Sequence, residues 1–208
     1  MPQTPANSPS PATDFVNALE AWTPRSVRHQ TLRAEYRDLV AGSPRTALDR
    51  NGGPEHLTAS CFVFSPDLTR VLLCFHRKGR FWVQLGGHIE AADDSVASAA
   101  FREAREECGI DELSPLSGGA IVDLDRHSLG GGFGRCGVHW DVGFAAVVAP
   151  DAVPAVSDES DDVAWWPIVA LPATVPPDFA LRLHGVLDEL ARVAGQAART
   201  GTRGHPSA

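Results

Sequence analysis

Arg102-Glu103-Ala104-Arg105-Glu106-Glu107-Cys108-Gly109-Ile110 puts three carboxylates within five residues. The run ends a segment in which Val96, Ala99, Ala100 and Ala104 recur at helical spacing. On a helix, Glu106 and Glu107 fall three and four positions after Glu103, so the three side chains share one flank. Like charges this close repel one another and weaken a helix. A hard divalent cation offsets that cost, because it takes oxygen ligands at about 2.0–2.6 Å. The competing explanation is a solvated acidic face with ion pairs such as Arg102–Glu106 at i, i+4. Small residues on the other flank let the helix sit close to a sheet. Asp94 or Ser95 is placed to cap it, and Gly109 to stop it. Upstream, Gly86-Gly87-His88-Ile89-Glu90 reads as a tight glycine turn able to bring a backbone carbonyl to the same ion.

At these residues the chain resembles the Nudix hydrolase family (MutT-like domain). Its motif runs Gly, five residues, Glu, seven residues, Arg-Glu, an apolar residue, any residue, Glu-Glu, any residue, Gly, an apolar residue. Arg102, Glu103, Ala104, Glu106, Glu107, Gly109 and Ile110 match the second half. In the first half, counting back seven residues from Arg102 reaches Asp94 instead of Glu, and six residues separate it from Gly87 instead of five. The spacing is read as a one-residue insertion in the loop Glu90-Ala91-Ala92-Asp93, ahead of the helix. An insertion inside the helix would rotate the carboxylates by about 100°, whereas loops absorb one at little cost.

The resemblance implies an α/β/α sandwich around a mixed sheet. It also implies hydrolysis of a diphosphate linkage in a nucleoside diphosphate joined to another moiety, assisted by Mg²⁺ or Mn²⁺. By the same resemblance Glu103, Glu106 and Glu107 ligate the metal, with the carbonyl of Gly86. Glu106 also orients or deprotonates the attacking water. Arg102 holds a carboxylate in place, a task that suits a guanidinium fork. Glu90 either meets that arginine or the metal shell, or is a plain loop charge. Family members carry an acid ahead of a late strand, which points to Glu159 as general base, with Asp158, Asp161 and Asp162 as alternatives and a solvated acidic turn as the competing explanation.

Further candidates come from composition at strand ends. His76, Arg77 and Arg80 either contact substrate phosphates or form a polar hairpin tip. His139 either lines the substrate cleft or is structural, and Trp165-Trp166 stack a base or fill the core. Subgroup markers, a Pro or Tyr 15–18 residues after the motif, are absent: Asp125, Arg126, His127 and Ser128 occupy the interval. That disfavours ADP-ribose and dinucleoside polyphosphates as substrates. The odd first half of the motif leaves a second function open, a non-catalytic nucleotide-binding or regulatory module on the same fold. A third, the isoprenoid diphosphate isomerase branch, needs a cleft Cys and an acid, and no convincing pair stands out.

Composition sets the outer bounds. The 208 residues allow one full domain with additions, with 43% hydrophobic and 21% charged residues. A net charge of −8 argues against extended nucleic acid as a partner. It permits a small phosphorylated substrate, since a bound cation reverses the local potential. Cys61, Cys74, Cys108 and Cys136 form no Cys-x-x-Cys pair and read as buried free thiols of a reducing cytosol, not a zinc site or disulfide set. No apolar run approaches the roughly 20 residues of a membrane span, and the N-terminus lacks signal-peptide features. A cytoplasmic location follows as the expectation.

Along the chain, residues 1–12 read as a disordered tail and 13–50 as a helical extension. In the extension, Thr13-Asp14 caps a helix carrying Phe15, Leu19 and Trp22. Thr23 caps a second helix, with Pro24 at its first position and Leu32, Tyr36 and Leu39 on its apolar side. The extension is a structural cap, a homodimer contact or a substrate lid. Residues 55–195 form the catalytic domain. Strands are expected at Leu57–Phe64, Val71–His76, Phe81–Leu85, Ala120–Leu124, Val138–Val148 and Val163–Trp166. Gly130-Gly131-Gly132-Phe133-Gly134 is expected to be a mobile loop, and a helix runs through Phe179, Leu183, Val186, Leu190 and Val193. Residues 196–208 read as a frayed tail.

Overall fold

The computed structural model describes residues 9–130, 135–156 and 160–201. Three helices come first: α1 (Pro11–Ala21), α2 (Val27–Gly42) and α3 (Pro44–Leu48). Helix α1 starts ahead of the expected Thr13-Asp14 cap. The Ser10 side chain accepts the N–H of Thr13, and Pro11 takes the first turn, where its missing donor costs nothing. Helix α2 starts later than Thr23-Pro24 suggested, because Ser26 is the residue whose hydroxyl caps it, accepting from His29 N–H at 3.1 Å.

Eight strands follow: β1 (Glu55–Phe64), β2 (Arg70–His76), β3 (Phe81–Val83), β4 (Leu85–His88), β5 (Ser114–Pro115), β6 (Asp123–Ser128), β7 (Val138–Val147) and β8 (Ser160–Pro167). Helix α4 (Val96–Cys108) lies between β4 and β5, and α5 (Phe179–Gly201) closes the described chain. Helix α5 thus extends past residue 196, where the apolar pattern had already stopped.

All eight strands join one mixed sheet, ordered β3-β2-β1-β7-β5, with β4 also on β1, β6 on β7 and β8 on β2. At its centre β1 and β7 run parallel, in register from Glu55↔Val138 to Phe64↔Val147. The other pairings are antiparallel. Strand β1 is buried from His56 onward, as a central strand covered on both faces must be.

Alternation along β1 builds two cores. Leu57, Ala59, Cys61 and Val63 face α4, meeting Ala99, Ala100 and Ala104, with Phe15, Leu19 and Tyr36 of the N-terminal helices behind. Phe62 and Phe64 face the other way, against Phe179, Leu183 and Val186 of α5. The result is helix, sheet and helix in three layers. On that second face the preceding residues His56, Thr58 and Ser60 are polar yet buried, so the α5-side core gives way to a polar lining at one end of the sheet.

Three expectations change here. The strand expected at Phe81–Leu85 breaks at Gln84, whose amide reaches Ser60 Oγ at 3.3 Å and Asp141 Oδ2 at 3.1 Å. Gly86-Gly87 is not a tight turn but part of β4, paired with Ser60 and Ala59. The strand expected at Ala120–Leu124 is β6, shifted to start at Asp123, and it runs to Ser128 through polar residues that hid it from a hydrophobicity reading. The glycine-rich loop expected at 130–134 lies, apart from Gly130, outside the described residues.

Candidate active site

Helix α4 carries the acidic cluster and is held at both ends. Ser95 and Ser98 form a reciprocal capping box, and Gly109 stops the helix in the left-handed conformation at φ 66°. Its flank presents the three glutamates at different depths. Glu103 and Glu107 are each 7% exposed, while the Glu106 side chain is largely in solvent. Burying two carboxylates this close requires compensating partners.

The partners come from β4 and from Arg102. Glu107 Oε2 accepts the backbone N–H of Gly86 at 2.8 Å, and Cys74 Sγ lies 3.8 Å from Oε1. Burial, and then the charge of Glu107, push the Cys74 thiol well above its usual range, so it stays protonated. Arg102 Nη1 donates to Glu103 Oε1 at 3.0 Å and to Glu106 Oε2 at 2.9 Å. Nε and Nη2 clasp both oxygens of Asp93 at 3.0 and 2.9 Å, and Nη2 also reaches the carbonyl of His88 at 3.0 Å. One guanidinium therefore ties the loop, the strand end and two glutamates together. Burial would raise the carboxyl of Asp93, but the bonds from Arg102 and from Glu90 N–H hold it below the usual range.

The two glycines are required for different reasons. Gly86 has φ +154°, and a Cβ there would lie 2.6 Å from the carbonyl oxygen of Ala59 and from Ser60 Cα. A Cβ on Gly87 would lie 2.5 Å from Oε2 of Glu103. The bare backbone of β4 is thus the wall against which the buried carboxylates rest.

Asp93 corrects the reading of the motif. Five residues separate it from Gly87, the family spacing, and it is Asp93 that Arg102 clasps; Asp94 is exposed. The additional residue therefore lies between Asp93 and α4, not within Glu90–Asp93. Glu90 is exposed and contributes its backbone, whose N–H donates to Asp93 Oδ2 at 2.8 Å.

The other candidates are spread out. His76 caps the β2–β3 turn, where Nδ1 accepts Gly79 N–H at 2.9 Å and the ring stacks on Phe81. Arg77 and Arg80 are exposed and both grip Asp161 of β8, at 2.8 and 3.0 Å. Asp162 accepts from Val163 N–H. Glu159 and Asp158 lie outside the described residues. Trp165 packs under Arg70, and Trp166 meets Trp82 edge-on. His139 joins His56 and His88 in a triangle of rings whose centroids are 5.1–5.2 Å apart. Burial first, then the neighbouring His88 and His127, push His139 down to about 3; burial, then Arg50, pushes His88 down to about 4.

The reading from sequence missed a buried charge network on the same face. Arg182 of α5 donates to Asp123 Oδ2 at 2.9 and 2.7 Å, and reaches Asp125 and Asp141 at 3.3 Å. His29 bonds Asp123 at 2.8 Å and Arg28 bonds Asp125, so α2 is fastened to β6. Asp141 also accepts from Thr58 and Ser60. Burial would raise Asp123, yet Arg182 and His29 hold it down to about 2. The available signal was Asp123-Leu124-Asp125, acids at strand spacing facing an arginine on an apolar helix.

The sequence profile of the NUDIX domain matches residues 54–189. Among solved structures, the E. coli dihydroneopterin triphosphate pyrophosphohydrolase aligns over 65% of this chain and 95% of its own, at 16% identity and a TM-score of 0.53. A C. elegans Ap4A hydrolase aligns over 65% and 98%, at 17% identity and a TM-score of 0.54. A NUDIX-family hydrolase from Clostridium perfringens aligns over 64% and 96%, at 25% identity and a TM-score of 0.48. No curated protein sequence matches. No helix among the described residues is long and apolar enough to cross a membrane. With the profile spanning most of the chain and the acidic helix set against the glycine strand, the chain belongs to the Nudix hydrolase family.

Proposed function

We propose that this chain hydrolyses a phosphoanhydride bond in a nucleoside diphosphate linked to another group. The observation that carries the reading is the convergence of two buried carboxylates, Glu103 and Glu107, on the side-chain-free backbone of Gly86-Gly87, with Arg102 fixing the first of them. The site fits a hard divalent cation. Its donors are all oxygens, and the place a Cβ of residue 87 would fill is bordered by the Glu103 carboxylate. Glu103, Glu106 and Glu107, with the Gly86 carbonyl, are the residues that would hold Mg²⁺ or Mn²⁺. Such an ion neutralises charge on the phosphoryl oxygens and the leaving group.

The chain's own groups do the rest. Arg102 orients Glu103, and its clasp on Asp93 fixes the loop entering α4. In this proposal Glu106, the exposed member of the three, takes a proton from water once Arg102 releases it. Glu159 shares that role in the proposal on its sequence position alone. Arg77 and Arg80 are paired with Asp161, so phosphate contact from them would first require breaking those bonds.

The test is a panel of nucleoside diphosphate and polyphosphate conjugates incubated with Mg²⁺ or Mn²⁺, with products identified by mass. Turnover in the wild type with at least about 10²-fold lower kcat in Glu107→Gln is the expected result. Ligand binding without turnover under any condition would favour the non-catalytic module instead. Unchanged activity in Glu107→Gln would reject the carboxylate site.

A further inference from the structure

On the opposite face of β4 from the glutamates stands a second group of donors. We propose that His56, His88, Cys136 and His139 bind one zinc-class transition-metal ion in a closed, structural site. One ligand atom from each of the four lies within 4.8 Å of the others. Cys136 Sγ is 3.8 Å from His88 Nε2. In a tetrahedral zinc site with Zn–N of about 2.0–2.1 Å and Zn–S of about 2.3 Å, ligand atoms stand about 3.3–3.7 Å apart. The group therefore needs an inward shift of about 1 Å at most.

Topology explains why these residues meet. His56 and His139 are direct partners in the parallel β1–β7 ladder. His88 pairs with Thr58, two residues along β1, and so shares the face of His56. Cys136 precedes β7 in a segment fastened to the entrance of β1, where Pro54 O accepts from Gly137 N–H at 2.7 Å and Val138 N–H at 3.0 Å. Three segments distant in sequence deliver three imidazoles and a thiol to one point.

The site has unmet bonding capacity. Among the described residues, Nε2 of His139 and the ring nitrogens of His56 are buried without a well-formed hydrogen bond, the His56 ring having the Gly53 backbone beside it. Orphaned buried nitrogens are costly unless something satisfies them, and a metal satisfies them directly. Nitrogen and sulfur donors select zinc, cobalt or copper over magnesium. Four protein ligands leave no open position for substrate, which marks a structural role. Strand β4 would then carry a hard-cation site at Gly86-Gly87 and a soft one at His88. Cys136 is a free thiol, as expected, but it is half-exposed beside His88 instead of buried.

The test uses the full chain, stripped with a chelator and titrated with Co²⁺ as a spectroscopic stand-in. With the carboxylate site kept filled by excess Mg²⁺, the expected result is about one Co²⁺ per chain, with the intense visible bands of a tetrahedral ion and a sulfur-to-cobalt charge-transfer band. Zinc should displace it, and a large excess of Mg²⁺ should not. Cys136→Ser, a change at a half-exposed position, should abolish the charge-transfer band. It should also abolish the rise in Tm that zinc gives the wild type. Glu107→Gln should leave both signals intact, which keeps this test separate from the hydrolase reading. Absence of cobalt binding, a weak six-coordinate spectrum, a charge-transfer band that survives Cys136→Ser, or loss of the signal in Glu107→Gln would each overturn the proposal.

Discussion

Replacing Gly87 with alanine tests whether the position of Glu103 sets activity. The added Cβ would stand 2.5 Å from Oε2, 2.6 Å from Cδ and 2.8 Å from Oε1 of Glu103, where ordinary contact begins at 3.4 Å. The carboxylate must therefore retreat by about 1 Å. It is the far end of a flexible side chain, so the fold should tolerate the change. The loss is its 3.0 Å bond to Arg102, worth about 1 kcal/mol, which lowers Tm by about 2–4 °C in a chain of this size. Catalysis should suffer far more. A displacement of about 1 Å in a positioned group costs on the order of 10²-fold, or about 2.7 kcal/mol of transition-state stabilisation. The assay is kcat/KM on whichever conjugate the wild type turns over, with Mg²⁺ titrated in parallel. A double-mutant cycle makes the argument refutable. In a Glu103→Ala background there is space for the methyl group, so Gly87→Ala should cost nothing further. Additive losses, or wild-type kinetics in the single mutant, would show that Gly87 does not act through Glu103. Gly86→Ala is the contrast. It meets immovable backbone at 2.6 Å with φ +154°, and should cost about 3 kcal/mol of stability or more.

Asp93→Ala removes the carboxylate clasped by Arg102 and should cost about 2 kcal/mol in urea unfolding, discounted because the arginine is a quarter exposed. Asp94→Ala, at an exposed position, should stay within about 0.5 kcal/mol; equal costs would refute the assignment of Asp93 to the motif. Asp123 carries a depressed pKa of about 2, so its stabilisation is complete above about pH 4 and is lost as pH falls toward 2. Relative to Asp123→Asn, the wild type should lose about 1 kcal/mol between pH 5 and pH 3, of about 2–3 kcal/mol in total; parallel unfolding curves for the two would refute it. Arg182→Met leaves three buried aspartates without their shared cation and should cost about 3–5 kcal/mol, read by thermal unfolding.

The parts of this molecule that were legible in its sequence are those governed by local rules. Helix α4 was visible because its small-residue stripe, serine cap and terminal glycine lie within fifteen residues. Strand β7 was visible because one face, Val138, Trp140, Val142, Phe144 and Ala146, is apolar throughout. Strand β6 was misplaced because Asp123, Asp125 and His127 face a buried polar cluster, so burial and hydrophobicity part company there. The Arg182 network and the histidine triangle are pairings between residues far apart in sequence, 41 positions for Arg182 and Asp141 and 59 for Arg182 and Asp123. No local pattern encodes which strand a given aspartate or histidine will lie beside. The Gly-Gly pair was recognised but taken for a turn, since glycine marks close approach and reversal equally well. Only its pairing with Ala59 and Ser60 separates the two.

The two departures of the motif from its family pattern are best understood as one. An aspartate replaces the first glutamate, and one residue is added between it and the helix. Aspartate is a methylene shorter, so its backbone must come nearer to Arg102 to give both oxygens to the guanidinium. The additional residue lets it do so. The chain closes a turn in which Asp93 N–H donates to Glu90 O at 3.1 Å and Glu90 N–H returns to Asp93 Oδ2 at 2.8 Å. That turn delivers the carboxylate to Nε and Nη2 at 3.0 and 2.9 Å. Arg102 thereby keeps its remaining donors for Glu103, Glu106 and the His88 carbonyl. Each change alone would leave a buried charge short of its partner; together they preserve the clasp. The irregular spacing that pointed toward a non-catalytic module lies ahead of α4, and the clasp of Arg102 on Asp93 and Glu103 is kept despite it.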